Sequence, residues 1–119
     1  MSPAADTDLD SAFAALSDST RRAVIRALLR KPLRAGELAE SVAMSPPALS
    51  RHLRVLRKAG LITEQGVDHD ARVSVYSVNP TAFAPVRGWL EQVEELWRDQ
   101  LQAFKQHAER SRRPRRPAS

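Results

Sequence analysis

Arg51, Arg54 and Lys58 recur at three- and four-residue steps within GELAESVAMSPPALSRHLRVLRK, Gly36–Lys58. On a helix this spacing puts the three cations on one face, with Pro47 beside them. Leu49, Leu53 and Leu56 sit at i, i+4 and i+7 and share the opposite face. A helix held from behind by leucines and showing arginines forward suits the DNA major groove. Phosphates supply the attraction, and base edges present acceptors that Arg can bridge with two hydrogen bonds.

Distance from the helix start separates the roles. Ser45 is an N-cap candidate, and Pro46 takes the first helical position, where a missing N–H is harmless. Ser45 can also touch phosphate through its hydroxyl or N–H. Pro46, Pro47, Ser50 and Arg51 lie in the first two turns, where such helices meet base edges. Pro47 has no donor and offers only apolar contact, as to a thymine methyl. Arg54 and Lys58 lie further back and suit phosphate. His52 falls about 60° from the leucine stripe. It is expected to be half-buried and bonded to backbone, with a DNA contact as the other reading.

The charge pattern supports a polyanion partner, although the net charge of +5 does not by itself. Residues 110–119 (RSRRPRRPAS) hold five Arg and no acid, while residues 1–109 balance 14 basic against 14 acidic groups. Within that neutral part, residues 21–58 carry ten Lys/Arg against Glu37 and Glu40. The flanking segments are both acidic. A cationic band therefore crosses an acidic chain. Arg21, Arg22 and Arg26 lie in this band and read as surface partners of the acidic N-terminal segment.

Much is excluded. There is no cysteine, so disulfides, thiolate nucleophiles and thiolate metal ligands are out. His52, His69 and His107 fall in separate elements without a nucleophile nearby, so no catalysis is expected. No run of about 18 apolar residues exists, and MSPAADTDLD has no apolar signal core, so a cytoplasmic protein without membrane contact is expected.

The elements that must position the cationic face follow from spacing and punctuation. Residues 1–8 read as disordered. Leu9, Phe13 and Leu16 space a first helix. A second helix, capped by Ser17 or Asp18, ends near Arg30 and is stopped by Lys31-Pro32. A short helix over Gly36–Val42, a turn at Ala43-Met44 and a helix from Pro46 to Ala59 follow, with Gly60 placed to end it. Leu61–Gln65 and Arg72–Val78 read as strands around a polar tip, residues 66–71. Arg72 reads as a minor-groove or phosphate contact. Asp68 and Asp70 would repel phosphates, so the tip should point away from the DNA backbone, and His69 reads as an exposed loop residue.

A long helix from about Thr81 to His107 carries Val86, Trp89, Leu90, Val93, Leu96, Trp97, Leu101 and Phe104 at mixed three- and four-residue steps. This resembles a helix–helix seam. So much apolar area on one helix is expected to meet a second copy, with Leu9, Phe13 and Leu16 packed alongside. The tail from Arg110 reads as a disordered electrostatic arm.

The order helix, helix, helix-turn-helix, β-hairpin, long helix is a winged helix-turn-helix: mainly α, with a small hairpin and a C-terminal dimerisation helix. The residues resemble the ArsR/SmtB family of bacterial repressors. The segments that carry the resemblance are LSDSTRRAVIRALL at Leu16–Leu29, ELAESVAMSPPALSRHLRVLRKAGLI at Glu37–Ile62, and VYSVNP at Val75–Pro80. The resemblance implies a homodimer that binds an imperfect palindromic operator and leaves it on meeting an inducer. Residues 9–109 would form the DNA-binding and dimerisation domain.

Two departures from the family pattern matter. Metal-sensing members often carry a Cys pair in the helix before the recognition helix, and Glu37–Val42 has no thiol. Others pair histidines on the last helix, where this chain has Glu91, Glu94, Glu95, Asp99, His107 and Glu109. The resemblance is thus to a subgroup without the cysteine metal site. No metal or cofactor is expected, and the effector would be an unknown small molecule or another non-thiolate signal. An oxygen- and nitrogen-ligand metal site on the last helix is the alternative, as is a winged helix that binds protein. The second departure is Ala43, where the family commonly has Gly; a left-handed Ala costs about 1 kcal/mol more.

Overall fold

The computed structural model describes residues 3–67 and 70–112, with side chains placed for 8–66 and 73–112. Five helices and three strands follow in the order α1 (Pro3–Leu16), α2 (Ser19–Arg30), β1 (Leu33–Arg34), α3 (Ala35–Ser41), α4 (Pro46–Lys58), β2 (Ile62–Val67), β3 (Asp70–Val78) and α5 (Ala84–Arg112). A 3-10 turn at Pro80–Phe83 leads into α5. The chain divides into two compact units, one ending at Val86 and the other beginning at Arg87.

In the first unit the helices stack around one apolar cluster. Val24, Leu38, Leu49, Leu56 and Leu61 are its fully buried large side chains, drawn from α2, α3, α4 and the residue before β2. The sheet closes one side, in the order β1-β3-β2 with every pair antiparallel. Ile62 pairs with Val78 and Glu64 with Tyr76, while Leu33 pairs with Tyr76 from the other edge. The sequence reading missed β1, because two residues cannot display an alternating pattern. The β2–β3 hairpin is also longer than expected. Its register shifts between Gly66 and Val67, and the strands continue across much of the expected tip.

Helix ends explain most of the local structure. Helix α1 begins at Pro3 and not at Leu9, so residues 3–8 are helical where disorder was expected. Pro at a first turn forfeits no hydrogen bond, and Ala4-Ala5 have the highest helix propensity. Of the two cap candidates for α2, Asp18 takes the role. Its Oδ1 accepts from the N–H of Thr20 at 2.8 Å and of Arg21 at 3.1 Å.

Helices α3 and α4 end in the same way. After α3, the N–H of Met44 bonds Ala39 O at 2.9 Å and that of Ala43 bonds Glu40 O at 3.2 Å. After α4, Leu61 bonds Leu56 O at 3.0 Å and Gly60 bonds Arg57 O at 2.9 Å. Both are Schellman caps, which need a left-handed residue at the first position past the cap. Gly60 supplies it at φ 78, but Ala43 does so at φ 53 with a Cβ that this region disfavours. The expected strain at Ala43 is thus present.

The second unit is α5 from Arg87 through Arg112, which takes in the first three residues of the expected tail; residues 113–119 lie outside the described residues. At about 100° per residue, Leu90, Val93, Leu96, Trp97, Leu101 and Phe104 fall within about 140° of arc. Glu91, Glu94, Glu95, Arg98, Asp99 and Lys105 occupy the remainder. Val86, expected to join this stripe, instead packs on the apolar cluster of the first unit.

The two caps should respond oppositely to exchange of Ala and Gly. Ala43→Gly is expected to raise unfolding stability by about 0.5–1 kcal/mol, and Gly60→Ala to lower it by about 1 kcal/mol. No atom lies within 4 Å of a Cβ added at Gly60, so that change isolates the backbone term. Urea unfolding of both variants measures it.

Candidate nucleic-acid interface

Helix α4 is positioned by its leucines. Leu49, Leu53 and Leu56 are 0%, 5% and 0% exposed, packed where α2, α3 and β2 meet the helix. Each such burial is worth about 1.5–3 kcal/mol, which fixes the rotation of the helix about its axis. Ser45, Pro46, Pro47, Ser50, Arg51, Arg54 and Lys58 consequently all face solvent. The start of α4 is set as the sequence implied, with Ser45 Oγ accepting from Ala48 N–H at 3.4 Å and Pro46 first in the helix. No acidic residue lies on α4, so every charge on its exposed face, from Arg51 onward, is positive.

The C-terminal end of α4 is tied to the hairpin. Arg57 pairs with Glu64 of β2 at 2.6 Å, which turns this cation toward the strands. The Glu64 carboxylate also accepts from the Tyr76 hydroxyl. Burial, then the nearby Glu64 charge and this hydrogen bond, push the Tyr76 hydroxyl above its ordinary pKa of 10.0. Asn79 closes the base of the hairpin. Its N–H bonds Leu61 O at 2.9 Å and its side-chain amide donates to Gly60 O at 3.0 Å. Arg72 lies on β3, but its side chain, like Asp68 and His69 of the tip, falls outside the described residues.

The other end of α4 meets α2. His52 is half-buried, as expected, but its partners are side chains and not backbone. Its Nδ1 lies 3.4 Å from Arg21 Nη1 and 3.9 Å from Asp18 Oδ1. Arg21 also donates through Nε to Ala15 O and through Nη2 to Ala14 O at 3.2 Å. Arg22 donates to Leu16 O at 2.7 Å. Among the described residues these two arginines are held chiefly by backbone carbonyls, although the Arg21 charge also acts on Asp18. They satisfy the last carbonyls of α1, where a cation also meets the negative end of the helix. Local patterning could not reveal the His52 contact, because its partner stands 31 residues away. Arg21, Ser45, Pro47, Arg51, His52 and Val55 together line an open groove of about 590 Å³.

The two hairpin-side and groove-side anchors thus hold a cationic helix edge-on to solvent, with uncharged Ser50 and Pro47 beside Arg51. Such a surface can bind phosphates and read acceptors. Elsewhere, Glu91, Glu94, Asp99 and His107 of the alternative metal reading are spread along α5 and exposed. Among the described residues no group of three or more His, Asp or Glu stands close enough to hold a metal ion. Among them, too, no helix is long and apolar enough to cross a membrane.

Residues 18–64, from the cap of α2 into β2, match the family model of the bacterial regulatory protein arsR family. The chain is 36% identical over 97 residues to the HTH-type transcriptional regulator Rv2034 of Mycobacterium tuberculosis, covering 82% of this chain and 85% of that one. The chain belongs to the arsR family. This arsR-family chain is also 30% identical to the transcriptional repressor SdpR of Bacillus subtilis, over 69% of its own length and 88% of the relative's. Among solved structures, an ArsR-like transcriptional regulator from Rhodococcus sp. RHA1 superposes with a TM-score of 0.68 at 32% identity, covering 87% of this chain and 94% of that one. The arsR-family protein is a winged helix-turn-helix, DNA-binding transcriptional regulator, in which α3 and α4 form the helix-turn-helix and β2–β3 the wing. It lacks the cysteines of the thiolate metal site. The work of this family is control of transcription.

The Asp18 cap has a pH signature. Hydrogen bonds from the N–H of Arg21 and of Thr20, outweighing its partial desolvation, hold its carboxyl below the ordinary value of 3.8. A carboxyl depressed in the folded state stabilises above its unfolded pKa, and that contribution is lost as pH falls through the folded one. Asn caps nearly as well without titrating. Thermal unfolding of Asp18→Asn across the acid range should therefore show a shallower loss of Tm than the wild type.

Proposed function

We propose that this regulator is a homodimeric repressor of its own or a neighbouring operon, working in the cytoplasm on an imperfect palindromic operator. The observation that carries the reading is α4, with leucines buried behind and Arg51, Arg54 and Lys58 exposed in front. Ser45, Pro46, Pro47, Ser50 and Arg51 meet base edges or the first phosphates. His52 supports them from the groove, Arg54 and Lys58 bind phosphate, and Arg72 reaches DNA from the wing. Because the Pro pair offers no donors at the helix tip, Arg51 does most of the base reading.

The dimer is formed through the apolar stripe of α5. Leu96, Trp97 and Phe104 are 66%, 60% and 71% exposed in the single chain, which is unusual for side chains of this size. Leu90, Val93 and Leu101 continue the same stripe, and Trp89, with Leu9 and Phe13 of α1, completes the interface. Leu16 contributes less, since it already packs on the apolar cluster. A two-fold axis then sets two α4 helices about 34 Å apart, one turn of DNA. The signal that releases the operator requires no thiol, and a small molecule is the simplest carrier. Residues 9–109 act as the DNA-binding and dimerisation domain, and the basic residues after them add non-specific attraction.

Selection of bound duplexes from random sequence, followed by affinity measurements, separates the roles. Arg51→Ala should cost about 1–3 kcal/mol on the selected duplex and relax sequence preference. Lys58→Ala should weaken selected and random DNA equally and reduce the salt slope by about 1. Equal losses for Arg51→Ala on both duplexes would remove it from base reading. In sedimentation, Trp97→Asp should shift the protein to monomer and weaken operator binding by more than about tenfold; a Trp97→Asp dimer would place the seam elsewhere.

A further inference from the structure

The guanidinium of Arg21 touches three things at once: the carbonyls of Ala14 and Ala15 at the end of α1, and Nδ1 of His52 on α4. Arg has donors but no acceptor and stays charged at any working pH. Its contact with Nδ1 therefore exists only when that nitrogen carries no proton. The two carbonyls hold the guanidinium in place on the other side, so it cannot turn away to suit a different ring state.

The consequence falls on the far side of the imidazole. A neutral ring whose Nδ1 accepts a hydrogen bond must carry its proton on Nε2. His52 lines the groove together with Arg51 and Ser45. The ionised charges nearest the ring among the described residues are Arg21 of α2 and its N-cap Asp18, whose Oδ1 accepts from two backbone N–H groups and stands 3.9 Å from Nδ1, beyond hydrogen-bond reach. At that distance Asp18 makes no hydrogen bond that would hold a proton on Nδ1.

We propose that Arg21 is a positioning residue that locks His52 in the Nε2–H tautomer, so that His52 presents a fixed hydrogen-bond donor to an acceptor on DNA. This rests on the DNA-binding reading above and names a specific donor within it. A donor fixed before binding loses less freedom on association than a ring free to choose between tautomers. The contact of Arg21 makes α2, and through it the end of α1, part of the recognition surface without touching DNA.

Side-chain amides test this directly, because Gln places its NH2 where Nε2 lies and Asn places its own where Nδ1 lies. His52→Gln should retain affinity for a selected duplex within about threefold, whereas His52→Asn should lose about tenfold. Loss confined to the selected duplex assigns the acceptor to a base edge, and equal loss on a random duplex assigns it to phosphate. Equal binding by the Gln and Asn variants overturns the proposal. Long-range nitrogen–proton NMR correlations of the free protein, at a pH where the ring is neutral, read the tautomer without DNA. The wild type should show Nδ1 unprotonated. Arg21→Lys, which keeps the charge but not the fork, should show a ring exchanging between both forms. A wild-type ring protonated on Nδ1, or an unchanged tautomer in Arg21→Lys, also overturns it. If the wild-type protein binds no duplex at all, the DNA-binding reading fails, and the tautomer result stands apart from it.

Discussion

Turning α4 by one residue about its axis would swing Arg51 through about 100° and pull Leu49, Leu53 and Leu56 out of the cluster. Three buried leucines oppose that rotation with several kcal/mol, more than any contact the exposed cations make within the chain. The cationic face is thus aimed by what lies behind it. A surface whose charges must stay unpaired until DNA arrives cannot be organised by those charges, so the apolar side has to do it.

Rotation is only one freedom, and the ends of α4 remove the others. Its N-terminal end follows a turn that holds Ala43 in the left-handed region. The strain persists because Met44 N–H reaches Ala39 O only along that path, and because Met44 then packs on the cluster. The C-terminal end is pinned to the wing through Gly60, Leu61 and Asn79, with Arg57 and Glu64 as a second strap. The exposed pair adds little stability. Its effect is to turn one cation of α4 toward the wing, which distinguishes Arg57 from its neighbours Arg54 and Lys58.

Polar groups at the junction of α1, α2 and α4 illustrate how capping and recognition share residues. Asp18 caps α2, Arg21 and Arg22 close α1, and His52 stands against both Asp18 and Arg21. Each helix end needs partners for backbone groups that the helix itself cannot satisfy. Here the partners meeting those needs also border the groove on α4.

Periodicity made the helices legible, since 3.6-residue spacing leaves the same imprint on any amphipathic helix. The leucine stripe, the exposed cations, Ser45, Pro46 and Gly60 could all be read from neighbours within a turn or two. The alternation of Arg72–Val78 marked β3 for the same reason. What failed was non-local or too short to have a period. Strand β1 exists only because β3 lies beside it, and α1 starts at Pro3 through propensity and not through an apolar pattern. Val86 looks like the first member of the α5 stripe, yet tertiary packing assigns it to the cluster of the first unit. The arginines of α2 carry charge that sequence could place only near other charge; the fold gave them carbonyls and a histidine. By itself the sequence determined which helix carries an exposed cationic face and which residues lie on that face, because helical spacing is a local property. Only the tertiary structure decided what aims the face, which cation it turns toward the wing, and how His52 is held, because those depend on contacts between separate elements, which for Arg21 and His52 lie 31 residues apart.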